Sequence, residues 1–264
     1  MFDNARVLAL AILLGACAAE AQDAKQIVTE AVRTELAADA ADHSLWIYYD
    51  VDRKPNSSVK EWVADTRTGE LHRVLERNGQ PVNQAAQQSA MNAFIQDSSA
   101  QAKQRKSDRH DDAQATRMLS LLPKAFIWKI TGSQDGTTTL HFRPDPSFDP
   151  PTWESRVFAA MEGDMTVDDA QHRIMSLRGR LIHDVRFAYG LLGELKAGGT
   201  FEVERRQLSK DEWQITQTHV HIEGYALVFK SISEEEDDVK SKFEPLPENT
   251  TFASAEKRLL EQRQ

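Results

Sequence analysis

Two histidines two residues apart, His219 and His221, share one face of any strand that carries them. A pair of imidazoles so placed can begin a zinc site. Completion needs a third ligand, for which His183 or the carboxylate of Asp184 on a neighbouring strand are the candidates. Val220 and Ile222 alternate with the histidines, which predicts that the imidazoles look outward into solvent and that no metal is held. Carboxylate pairs such as Asp50 with Asp52 and Asp168 with Asp169 offer acid and base groups, but glycoside hydrolysis needs two of them at a set separation. In so acidic a chain such pairs are expected at turns. The nucleophile elbow G-x-S-x-G, the phosphate-binding G-x-x-x-x-G-K-[ST], the dinucleotide fingerprint G-x-G-x-x-G and the zinc motif H-E-x-x-H do not occur. The expectation is a non-enzymatic protein without a cofactor, with a hydrolase as the remaining chemical alternative. The segment with the most pronounced functional pattern runs from Tyr189 through Gly190, Leu191, Leu192, Gly193 and Glu194 to Leu195, followed by Gly198 and Gly199. Leucines bracketed by glycines between two strands describe a mobile loop with an apolar tip. Tyr189, Leu191, Leu192 and Leu195 are thus the expected contacts to a ligand or a bilayer, against the alternative of a loop folded back on itself.

The elements that must position these groups belong to a chain of 264 residues with 32 Lys plus Arg against 41 Asp plus Glu, a net charge of −9. Excess carboxylate repels a phosphate backbone at long range, which excludes a general nucleic-acid binder. Hydrophobic residues at 40% and charged residues at 28% match globular usage. A chain of this length buries enough surface to need no staples. With Cys17 as its one cysteine it forms no intramolecular disulfide.

Residues 7–19, VLALAILLGACAA, are apolar or small, follow Arg6 and end at Glu20. Thirteen residues at about 1.5 Å each fall short of a hydrocarbon layer of roughly 30 Å. The segment therefore reads as a signal-peptide core. Leu14-Gly15-Ala16-Cys17 resembles the lipobox of bacterial lipoproteins, which implies that Cys17 becomes the acylated first residue of the mature chain. Cleavage after the A-E-A of residues 19–21 is the alternative. Ala18 stands where a lipoprotein retained at the inner membrane carries aspartate, so the resemblance implies export to the periplasmic side and anchoring at the outer membrane. The division expected is a signal peptide over 1–16 and a single domain over 17–264.

Residues 24–41 place Ile27, Val28, Val32 and Leu36 at helical spacing. The stretch 44–51, SLWIYYDV, is strand-like; a turn at Asn56 to Ser58 leads into 59–64 and 71–75, a hairpin around 66–69. A polar stretch opened by Pro81, Gln-, Ala- and Lys-rich and without glycine, predicts one or two exposed helices over 80–118. An apolar stripe from Met118 to Leu122 follows, so the whole helical insertion is 80–122, closed by Pro123. Strands are expected at 126–131 and 137–142, joined by Asp135-Gly136. After the proline-rich link 144–151, further strands are expected at 157–167, 174–182, 200–208, 213–222 and 226–232, an antiparallel meander. The EEEDD run at 234–238 is expected to end the sheet and open an acidic C-terminal tail, 234–264, with a helix at 254–263.

At the residue level, Gly163-Asp164-Met165-Thr166-Val167-Asp168, His172-Arg173-Ile174, Leu177-Arg178-Gly179, Gly190 to Gly193, Lys196 to Phe201, His219 to His221 and Phe229 to Ile232 stand in one order. With the helix-strands-insertion-meander arrangement, they resemble an uncharacterised family of exported bacterial proteins similar to the LolA and LolB lipoprotein carriers and the periplasmic regulator RseB. The resemblance covers about residues 25–245 and rests on structural motifs. It implies an α+β fold: a strongly curved antiparallel half-barrel with helices covering its concave face and an apolar cavity for acyl chains or an apolar peptide. The insertion is the departure from the carriers. The implied partners are lipid or lipoprotein acyl chains, with the membrane reached through the lipid anchor. The alternative implied by RseB is a sensing module that contacts another envelope protein.

Overall fold

In a computed structural model, residues 4–152, 154–187, 193–226 and 235–263 are described. The chain is α+β, dominated by one antiparallel sheet of eleven strands. In chain order the elements are helix α1 (Asn4–Ala41), strands β1 (Leu45–Lys54), β2 (Ser57–Thr66), β3 (Gly69–Arg77) and β4 (Gln80–Pro81), helices α2 (Gln84–Gln96) and α3 (Ser98–Ala125), then β5 (Phe126–Gln134) and β6 (Thr137–Pro144). A short 3-10 helix, Glu154–Ala160, precedes β7 (Met161–Asp168), β8 (Arg173–Leu181), β9 (Val185–Phe187), β10 (Gly193–Leu195), β11 (Thr200–Gln207), β12 (Trp213–His221), β13 (Gly224–Ala226), β14 (Glu235–Leu246) and α4 (Phe252–Glu261). The sheet order is β4-β3-β2-β1-β14-β12-β11-β8-β7-β6-β5, and β13, β10 and β9 form a separate three-stranded sheet. The two end strands do not pair with each other, so no closed barrel forms.

Local chemistry explains the ends of these elements. Asn78 and Gly79, like Asp135 and Gly136, have both turn residues at positive φ, the geometry of a two-residue hairpin. Asn83 accepts from the Ala86 amide at 2.9 Å to start α2, and Asp97 accepts from Ser99 and Ala100 at 2.9 and 3.0 Å to start α3. Helix α3 runs through Pro123 to Ala125 instead of stopping at the proline. So close to the helix end, proline removes one backbone bond, and burying the ring helps offset that loss.

Cross-strand register defines the two faces. Ile130, Leu140, Met165, Leu177, Val203, Thr218, Asp238 and Asp52 are successive partners across β5, β6, β7, β8, β11, β12, β14 and β1. Directly paired residues share a face, so one row begins apolar and ends acidic. Its apolar part packs with Ala24, Val28, Ala31 and Val32 of α1 and Leu122 of α3 in the largest core cluster. Phe126, Trp128, Phe142 and Phe158 interlock there, with ring centroids as close as 4.6 Å. The neighbouring row on the opposite face reads Lys129, His141, Asp164, Arg178, Glu202, His219, Asp237 and Arg53, a ladder of largely alternating charge. On that second face, at β1 to β3, Ile47, Trp62, Ala64 and Leu71 pack with Met91 of α2 and Ala255 and Leu259 of α4. Helices therefore stand on both faces, because the odd-numbered positions of β1 are as apolar as Trp46 and Tyr48 between them.

Two expectations are corrected. The run 234–238 does not trail from the sheet: from Glu235 it begins β14, a middle strand that pairs with both β1 and β12. Its charges are matched by position, as Lys54 reaches Glu236 at 2.8 Å, Lys240 lies 3.6 Å from Asp238, and His219 meets Asp237. The first residues of the expected strand 157–167 form the 3-10 helix, where Val157 and Phe158 enter the core.

Candidate functional site

The final turns of α1, the second half of α3 and the acid-ended face of the sheet enclose a cavity of about 1230 Å³. Leu36, Met118, Leu119, Leu177, Phe201 and Val203 line it and are only partly buried. Gly179 clears a place for Phe201: a Cβ there would lie 2.6 Å from the ring. The volume exceeds the several hundred ångström cubed of a drug-sized pocket. Among the aromatic residues, Trp46 and Phe201 line this space, and Trp62 and Trp128 are buried in cores. Phe229 lies outside the described residues.

A buried ionic triad stands at one end. Glu35, 4% exposed, accepts from Arg173 Nε and Nη2 at 3.0 Å each and from the Ile174 amide at 2.7 Å, and it also meets Arg205. Arg173 additionally donates to the Asp211 carbonyl and lies over the Trp213 ring, 5.8 Å from its centroid. Burial pushes the Glu35 carboxyl up, but the two guanidinium groups and the Ile174 amide together hold it below its ordinary value. The helix sequence carries a signal for this group: Glu35 follows Ala31 by four and Val32 by three, on the buried stripe, where a carboxylate requires a partner. Nothing local in the strands marks Arg173 and Arg205 as those partners. The pair His72-Arg73 parallels His172-Arg173, since both arginines are buried and both hold a helix. Arg73 donates to the Leu259 and Gln262 carbonyls at the end of α4, at 2.6 and 2.9 Å.

Beyond the cavity, the same face carries a crowded polar patch on β1, β2, β3 and β14. His72 contacts Glu61 at 3.1 Å and Glu70 at 3.4 Å, while Asp50, Asp52 and Asp238 each keep one buried carboxylate oxygen without a partner. Burial, then hydrogen bonding and repulsion from Asp238, pushes the Asp50 carboxyl up to about 8. Burial also raises Asp65 to about 7, against the Trp46 amide bonded to it. At His72 burial acts downward, but Glu61 and Glu70 overcome it and raise the imidazolium to about 10. The folded chain thus keeps a proton on Asp50 that an unfolded chain, at 3.8, releases; likewise for His72, whose ordinary value is 6.5. Between those limits the folded state binds more protons, so stability falls as pH rises from 7 to 10. Melting curves are expected to show that fall. Asp50→Asn should raise stability at pH 9 by about 2 kcal/mol and flatten the slope, as expected for removing a shift of several units partly screened by solvent. Parallel slopes for the two proteins would refute the assignment.

Of the groups singled out in the sequence, His219 contacts Asp237 and Gln217, and His221 is exposed opposite Thr200 and Glu235. Asp184 accepts from the Ala197 amide and pairs with Lys196 at 3.3 Å. Among the described residues no three His, Cys, Asp or Glu side chains converge on a metal position. Leu195 is buried in the main core, 6% exposed, and so faces neither the cavity nor a bilayer. In the three-stranded sheet it pairs with Val185, and both belong to the same core cluster as Ile222. Tyr189, Leu191 and Leu192 lie outside the described residues, as does the Cys17 side chain, whose backbone belongs to α1. Among the described residues no helix is long and apolar enough to cross a membrane. No protein-family model matches this chain, and comparison with curated proteins yields no match.

Proposed function

We propose that this protein is a non-enzymatic envelope lipoprotein, exported and anchored through Cys17, that holds an acyl chain or another apolar guest in a trough resembling those of the LolA and LolB carriers. The observation that carries the reading is the cavity of about 1230 Å³ bordered by partly buried apolar side chains from α1, α3, β8 and β11. A packed interior leaves few voids larger than a water molecule, so this much unfilled apolar space calls for an occupant. Curvature of the sheet is supported by the path of the insertion. It leaves β4 at one end of the strand order and enters β5 at the other. On the way the Gln104 amide group bonds both backbone groups of Glu70 in β3, at 3.1 and 3.2 Å, and Gly69 leaves room for it. One helix, α3, therefore touches the second strand from one end and leads into the last strand at the other.

Native mass spectrometry of the purified full chain tests the reading, alone and after addition of a neutral monoacylglycerol. A one-to-one adduct of lipid mass, retained at low activation energy, is the expected result. A bare protein mass under both conditions overturns it and favours a sensing module that contacts another protein through its surface.

A further inference from the structure

The charge around the cavity is one-sided. Seven carboxylates border it, those of Glu35, Asp39, Asp42, Asp112, Asp211, Glu212 and Glu248, against two arginines, Arg173 and Arg205. Both arginines are committed to Glu35, and their further donors go to the backbone carbonyls of Asp211 and Trp213. Among the described residues Asp39, Asp42, Asp112, Asp211 and Glu212 have no ion pair, and Glu248 has a long, exposed one of 3.7 Å to Arg67. The acids also come from four separate parts of the chain: the end of α1, the middle of α3, the β11–β12 turn and the segment after β14. Asp39 stands in the last turn of α1, which contains no basic residue, although the negative end of a helix dipole favours a cation. Partial desolvation, then repulsion from Asp39, Asp111 and Glu70, holds the Asp112 carboxyl above its ordinary value. The negative charge thus borders an apolar space, and among the described residues Asp39, Asp42, Asp112, Asp211 and Glu212 have no cationic side chain paired with them there.

From this arrangement we infer that the guest is a cationic amphiphile, an apolar chain lodged among Leu36, Met118, Leu119, Leu177, Phe201 and Val203 with an ammonium-type head held by Asp39, Asp112 and their neighbouring carboxylates. This inference rests on the acyl-binding reading and narrows it. An anionic head is disfavoured because it would face the same carboxylates, while the two guanidinium groups that might receive it already share Glu35. Complementary charge of this kind acts chiefly on specificity and approach, and salt weakens it.

Three ligands of one chain length separate the ideas: dodecylamine, dodecanol and dodecanoate, each titrated below its aggregation threshold into the full chain at pH 7. Quenching of Trp46 and Trp213, which line the cavity, reports binding. At low salt the amine is expected to bind at least tenfold tighter than the alcohol, and dodecanoate more weakly than the alcohol. Raising salt to 0.5 M should shrink the advantage of the amine severalfold. The exposed pair Asp39→Asn with Asp112→Asn should abolish most of that advantage and leave alcohol affinity unchanged. Equal affinity for amine and alcohol, or tighter binding of dodecanoate, overturns the cationic guest and leaves the acyl-binding reading standing. Binding of none of the three removes both.

Discussion

Glu35→Ala is expected to destabilise the protein by about 3–5 kcal/mol, because it strands two guanidinium groups in a site where the remaining neighbours are carbonyls and aromatic rings. Arg173 has 7% of its side chain exposed and Arg205 19%, so water from the cavity replaces the carboxylate only in part. The cost falls where α1 meets β8, since Glu35 also holds the Ile174 amide. For a chain of this size the loss lowers the melting temperature by roughly 10 °C. Glu35→Leu combined with Arg173→Met and Arg205→Leu removes all three charges and should recover most of the loss, as exchanging a whole buried ionic group for apolar residues often does. A single Glu35→Ala variant that melts with the wild type would show that α1 is held by its apolar stripe alone.

Val203→Trp is expected to reduce affinity for a neutral acyl ligand about a hundredfold while leaving the melting temperature unchanged or slightly higher. Val203 is only partly buried and borders the open space between β11 and the two helices. An indole at that position occupies volume that no side chain now fills, so the overpacking strain of a tight core is avoided and apolar area is buried. Leu177→Trp, one strand away in direct register, should act in the same way. Unchanged affinity in both variants, with both folded, would move the binding site elsewhere.

Much of the architecture was legible because apolar periodicity and turn chemistry act locally. The Trp46 to Val51 stretch, the Asp135-Gly136 hairpin and the stripe of α1 each carry their own instruction in adjacent residues. The Asn78-Gly79 hairpin was equally readable and would have supplied β4, but the helix-forming stretch after Pro81 masked it. β14 was not legible. Glu236, Asp238 and Lys240 lie on one side and Asp237, Val239 and Ser241 on the other, so no alternation of apolar with polar residues marks the strand. Its place in the middle of the sheet depends on Lys54, His219 and Gln217, which no local window joins to it. The candidate site divides in the same way. The apolar spacing of Leu36 and of the stripe from Met118 to Leu122 was evident, and Leu36, Met118, Leu119 and Leu122 line the cavity. Arg173, Arg205 and Trp213 come together only through strand order, and the acidic border only through the meeting of four distant segments.

The central claim is that an apolar chain lies between α1, α3 and the face of the sheet that carries Leu177 and Val203. Crystals of the full chain grown with a terminally brominated alkyl amine locate that chain directly through the anomalous signal of bromine. The account predicts one bromine position enclosed by Phe126, Phe142, Phe158 and Met161, at the deep end of the cavity. Bromine on the outer face beside the Arg178 to His219 charge ladder, or none within the protein, would contradict it.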